Sequence, residues 1–134
     1  MSHFTEIATR VKDLAALALA TRDLGLDIQA AQGAGGKPTI RGYATATREV
    51  DVAVRLHGPY DAGFLQQPDG TYQLVADWWG GHVAQEIGDQ GGKLLQRYAY
   101  HVIRLQAWRK GWSVHQTMNA DGSLRLVLTG RRLG

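Results

Sequence analysis

The chain has no cysteine. That excludes disulfides, thiolate zinc sites, iron–sulfur ligation and cysteine nucleophiles. Proline is scarce, at three residues, and there are two phenylalanines and two methionines. Long apolar runs are missing as well. The greasiest stretch, Leu14 to Ala20, is bounded by Lys12, Asp13, Arg22 and Asp23, and it falls far short of the roughly 20 residues a membrane helix needs. Met1-Ser2-His3-Phe4-Thr5-Glu6 lacks the basic start and apolar centre of a signal peptide. These absences lead us to expect a soluble cytoplasmic protein.

Acid is almost absent from the carboxyl-terminal third. Lys93, Arg97, Arg104, Arg109, Lys110, Arg125, Arg131 and Arg132 share that segment with Asp121 alone, a net charge of +7. The preceding residues carry seven basic and eleven acidic side chains, a net −4, so the overall +3 conceals a strong asymmetry. Such a split implies one face that attracts anions and another that repels them.

What the chain does contain fits one domain. Its 134 residues are 44% hydrophobic and 20% charged, enough to bury a core. Phe4 to Val11 suits a first strand. Asp13 is placed to cap a helix running toward Leu24, with Gly25 as its stop. Leu26–Gln32 reads as a short strand and 33–38 as a loop. Thr39–Thr47 and Val50–Leu56 follow as two strands, and the alternation of Val50, Val52, Val54 and Leu56 predicts one buried and one wetter face. Pro68-Asp69-Gly70 marks a hairpin turn between 63–67 and 71–76. Gly88, Gly91 and Gly92 argue against one unbroken helix from His82, so the second helix is set at Lys93–Lys110. A last hairpin turns at Asn119–Gly122. The order β-α-(several β)-α-β-β predicts a single α+β domain over 1–134, a mostly antiparallel sheet with two helices packed on one face.

Six blocks in the same order resemble a known family. They are Met1–Ile7, Arg41-Gly42-Tyr43, Tyr60-Asp61-Ala62-Gly63-Phe64, Tyr72–Trp78, Gln96–His101 and Asp121–Leu128. Together they are similar to the hypothetical chloroplast reading frame thirty-five family, a domain of unknown function in cyanobacteria, plastids and other bacteria. The stretch from Gly80 to Gly92 is more glycine-rich than that family leads one to expect. The resemblance implies a small soluble protein, supplies no catalytic residues, and leans toward a component of a multi-protein assembly containing an ATPase.

Among candidate sites, Lys93, Arg97, His101 and Arg104 follow at intervals of four, four and three, on one helix face with Tyr100 at its edge. Arg97, Arg104 and Arg125 can fork onto carboxylate or phosphate. The competing reading is a solvated helix face. Trp78 and Trp79 beside Gly80-Gly81 offer a stacking shelf, against core packing of both. Gly33–Thr39 fails as a phosphate loop because Ala31 holds the first glycine's place and Pro38 follows Lys37. His3, His57, His82, His101 and His115 show no ligand spacing, so no metal is expected. No nucleophile–base pair stands out, although Asp61 and Asp77 remain open as an acid pair. The sequence therefore predicts a non-catalytic module. It docks an acidic protein through Lys93, Arg97, Tyr100, His101, Arg104 and Arg125, with Trp78 or Trp79 as anchors. Nucleic-acid binding by the same surface and an enzyme of unassigned chemistry are the rivals, no cofactor is expected, and a homodimer through a sheet edge is left open.

Overall fold

The computed structural model describes residues 3–31 and 35–130; at 112–114 and 128 it describes the backbone alone. Arg131, Arg132 and the Gly33-Ala34 part of the glycine loop lie outside the described residues. The elements are β1 (Phe4–Ala8), α1 (Leu14–Asp23), β2 (Asp27–Ala30), β3 (Thr39–Arg41), β4 (Thr47–Glu49), β5 (Val52–Arg55), β6 (Ala62–Gln66), β7 (Tyr72–Asp77), α2 (His82–Ile87), α3 (Gly92–Arg109), β8 (Trp112–Met118) and β9 (Leu124–Gly130). Five strands form an antiparallel sheet in the order β1-β7-β6-β5-β2, while β3–β4 and β8–β9 are separate hairpins. The α+β class expected from the sequence is what the chain adopts.

Local chemistry accounts for the element boundaries. Asp13 caps α1 by accepting hydrogen bonds from the amides of Ala15 and Ala16. The Tyr98 hydroxyl accepts from the amides of Lys12 and Asp13, which ties α3 to the start of α1. Leu17 and Ala20 of α1, Leu94 and Tyr98 of α3, and Val52, Val54, Phe64 and Leu74 of the sheet share the main core.

The sequence expectation for β5 needs correcting. The face expected to be wetter is partly covered, because the β3–β4 hairpin folds over it and Ala53 and Val75 pack with Ile40 and Val50 in a second core; Val50 therefore does not share the face of Val52, Val54 and Leu56. Thr39–Thr47 is accordingly not one strand. It turns between Arg41 and Thr47, where the Gly42 amide donates to the Ala46 carbonyl and the Ala46 amide to the Tyr43 carbonyl. The second core depends on Gly63, since a Cβ there would sit 2.7 Å from Val50 Cγ1. Gly63→Ala is expected to cost about 1–2 kcal/mol by overpacking, read as a lower unfolding midpoint with unchanged circular dichroism.

The glycine-rich stretch also departs from the sequence reading. His82–Ile87 is a helix of its own, anchored by buried Val83 and Ile87. Gly88, at φ 88°, breaks it from α3. The breaks are where the glycines stand, but the segment between them still buries apolar side chains.

Candidate functional site

On α3, Lys93, Arg97, Tyr100, Arg104 and Trp108 recur at three- and four-residue intervals and occupy one face. Lys93 and Arg104 are exposed, and Trp108 is 68% exposed. Arg97 is half-buried. Its Nε and Nη2 donate to Asp23 Oδ2 at 3.0 and 2.5 Å, its Nη1 to Gln116 at 3.2 Å, and its guanidinium lies 4.8 Å from the centre of the Tyr100 ring. Tyr100 is half-buried and meets the His101 ring edge-on.

His101 does not line the outer stripe. It is 3% exposed, with Nε2 2.6 Å from Asp23 Oδ2. Its position on the helix wheel falls between the basic row and the inward row of Leu94, Tyr98 and Leu105, and α1 covers it. Against the ionised Asp23, Nε2 carries the proton, and Nδ1 is buried without a partner among the described residues. Burial opposes ionisation of Asp23, but Arg97 and His101 outweigh it and hold the carboxyl below its ordinary value.

The β8–β9 hairpin packs beside α3. It exposes Arg125 and His115, together with Met118 at 72% and Val127 at 42%. A shallow groove of about 130 Å³ runs between helix and hairpin, lined by Leu24, Lys93, Gln96, Arg97, Met118 and Leu124. Asp121, at the hairpin tip, bonds to Ser123.

The tryptophans separate. β7 ends at Asp77, so strand alternation does not govern them. Trp78 packs against the main core with its Nε1 buried and unpaired among the described residues. Trp79 is 53% exposed, which corrects the reading that both are core residues. Asp77 arranges this. Fully buried, it accepts from the Tyr43 amide at 2.7 Å and the Trp79 amide at 3.0 Å, and the two rings meet edge-to-face with centroids 4.8 Å apart.

Asp61 is engaged differently. Its Oδ2 accepts from Arg41 N (3.0 Å), Arg41 Nε (2.9 Å) and Arg55 Nη1 (3.2 Å), and its Oδ1 from Arg41 Nη2 (2.9 Å). Burial opposes its ionisation, but the Arg41 fork, aided by Arg55, holds it below the ordinary carboxylate value. The same fork raises Arg41. Both acids are thus bonded to β3 and its turn.

Of the other histidines, His57 donates its amide, at 2.7 Å, to Glu86 Oε1, and its Nδ1 lies 3.0 Å from the same oxygen. The two line an open cleft of about 350 Å³ with Gly58, His82 and Gln85. Among the described residues no group of three histidines or acids is placed to hold a metal.

Sequence reasoning missed Asp23, Tyr43 and the arginines on Asp61. Asp23 did carry a signal, because an acid in the last turn of a helix opposes the macrodipole and needs a cation to hold it.

What the fold defines is a small α+β domain, with an aromatic cluster beside the end of β7. Residues 20–127 match the family described as "Protein of unknown function (DUF1257)", and the chain belongs to it. It is 30% identical over 129 residues to "Uncharacterized protein ycf35" of Guillardia theta and 32% identical over 131 residues to the protein of that name from Pyropia yezoensis, in each case across 96% of both chains. No solved structure matches it. No helix among the described residues is long and apolar enough to cross a membrane.

Proposed function

We propose that this protein is a non-catalytic docking subunit that binds an acidic partner protein through α3 and the β8–β9 hairpin, within a multi-protein assembly in a soluble compartment. The observation that carries the reading is the composition of that face. Lys93, Arg104, Arg109, Lys110 and Arg125 are exposed there, and Asp121 is the only acid of α3 and the hairpin. Trp108 and Met118 are exposed beside the α3 cations, while Val127 shares with Arg125 the side of the ribbon turned away from Gln116 and Arg97. Exposed apolar side chains next to cations fit a protein partner better than phosphate alone, because protein hot spots are built on desolvated aromatic and apolar side chains. The hairpin adds a second argument. A two-stranded ribbon is marginal by itself, and among the described residues each strand pairs only with the other, which leaves ladder edges for a partner strand.

The test is cross-linked co-purification from the native host after nuclease treatment. The wild type is compared with a Lys93→Glu, Arg104→Glu, Arg125→Glu triple variant. The wild type should retain an acidic protein, and the variant should lose it by about tenfold or more, since like charges then face each other. If nuclease removes the captured material, or capture falls with salt as a steep power law on DNA or RNA, the surface is a nucleic-acid site instead. Equal recovery with both proteins would rule out this face.

A further inference from the structure

A second cluster lies where β7 ends beside the β3–β4 turn, and the docking reading above does not use it. Five rings follow one another there. His3 meets Tyr43 at 5.1 Å and 84°, Tyr43 meets Trp79 at 4.8 Å and 65°, His82 lies 6.5 Å from Trp79, and Tyr60 meets His82 at 5.0 Å and 76°. Tyr43 is 41% exposed, so this pair of large aromatic rings faces solvent at a corner. The Tyr43 and Trp79 rings, inclined at 65° to each other, present two walls rather than a flat stacking platform.

The charge beneath the corner sets it apart from an ordinary apolar patch. Asp77 is fully buried, and among the described residues only the Tyr43 and Trp79 amides hydrogen-bond to its carboxylate. Asp61 nearby is matched by two guanidiniums, whereas Asp77 has no ion-pair partner among the described residues. Each carboxylate oxygen of Asp77 is held by one of these amides and the side chain is fully buried, so its charge acts through the rings rather than by direct contact with a ligand. Burial raises the pKa of the Tyr60 hydroxyl above its ordinary value, and the nearby charge of Asp77 adds to the rise. Aromatic faces attract cations through their quadrupole, and a buried anion behind them adds to the same attraction in a low-dielectric setting.

We infer that the Tyr43–Trp79 corner receives a lysine side chain of a partner protein, held by cation–π contact over the buried charge of Asp77. The carboxylate offers field without a free oxygen, so recognition depends on the ammonium's charge and not on a hydrogen bond to it. A nucleobase would need parallel ring faces with a cationic surround. Here the guanidiniums of Arg41 and Arg55 are committed to Asp61 and that of Arg48 to Glu6.

The experiment titrates the full chain with three probes: Nα-acetyl-lysine amide, its Nε-trimethyl form and its Nε-acetyl form. Binding is followed by the indole N–H resonances and tryptophan fluorescence. The free and trimethyl forms should bind within about threefold of each other, and the neutral acetyl form at least about tenfold more weakly. Trp79→Ala and Tyr43→Ala should each weaken the cationic probes by about fivefold or more, with circular dichroism confirming that each variant is folded. The Lys93→Glu, Arg104→Glu, Arg125→Glu variant should bind them as the wild type does, which separates this site from the docking face. Equal binding of the neutral probe, or no response to the cationic probes at tens of millimolar (about 50 mM, weaker than any useful contact), would overturn the inference.

Discussion

Asp61→Ala is expected to lower the unfolding free energy by about 3 kcal/mol, measured by urea denaturation with an unchanged slope. Removing one member of a buried ion pair generally costs about 3–5 kcal/mol, because the remaining charge loses its partner where water cannot replace it. The lower end applies here. The side chains of Arg41 and Arg55 are 53% and 35% exposed, so both guanidiniums can rehydrate. The Arg41 amide cannot, and it loses its acceptor. Asp61→Asn should cost less, about 1–2 kcal/mol, because one amide oxygen still serves that N–H. The damage should concentrate in the β3–β4 hairpin, since Asp61 joins β3 to the β5–β6 connection through both its side chain and its own amide, which donates to Arg41 O. Hydrogen exchange should find the Ile40 and Gly42 amides exposed first.

The same carboxylate makes stability depend on pH. Its folded-state value is depressed, so between that value and the ordinary carboxyl range near 3.9 the unfolded chain binds the proton and the folded chain does not. The stabilisation is therefore complete above the ordinary range and disappears as pH falls through the folded-state value. The wild type should lose stability on acidification more steeply than Asp61→Asn, and above about pH 5 the gap between them should be constant. Asp23 contributes in the same direction.

The α+β class, α1, α3 and both long hairpins were legible because each rests on local signals: the Asp13 cap, the Leu94–Leu105 stripe, and the turns at Pro68–Gly70 and Asn119–Gly122. The second core was not. Alternation in β5 says which residues share a face, but only the fold reveals that a distant hairpin covers the other face. The glycines around α2 were legible as breaks, but the helix between them was not, because capping glycines and loop glycines look alike without the burial of Val83 and Ile87. At the sites, helical spacing placed Lys93, Arg97 and Arg104 on one face. It could not distinguish His101, one position around the wheel from Tyr100, as a buried residue, since the angle at which α1 crosses α3 decides that. The Tyr43–Trp79 corner brings together residues far apart in sequence through Asp77, and no spacing rule connects an Arg-Gly-Tyr block to the end of a strand.

The Asp23 cluster links stability to the proposed docking face, and the second large effect is expected there. Asp23→Ala should cost about 2–3 kcal/mol. Arg97, half-exposed, can turn to Gln116 and water, but His101 would be left with both ring nitrogens buried and unpaired. The double variant Asp23→Ala, His101→Leu should recover much of that loss, since removing the buried imidazole together with its acceptor leaves no ring nitrogen unpaired in the interior. The binding outcome runs the opposite way. Removing Asp23 deletes an acid beside the cationic face and releases the Arg97 fork, so the acidic partner should be held about threefold or more tightly even as the fold weakens. Parallel loss of binding and stability would mean that the ion pair builds the docking surface. A gain in affinity with a loss of stability would mean that Asp23 restrains it.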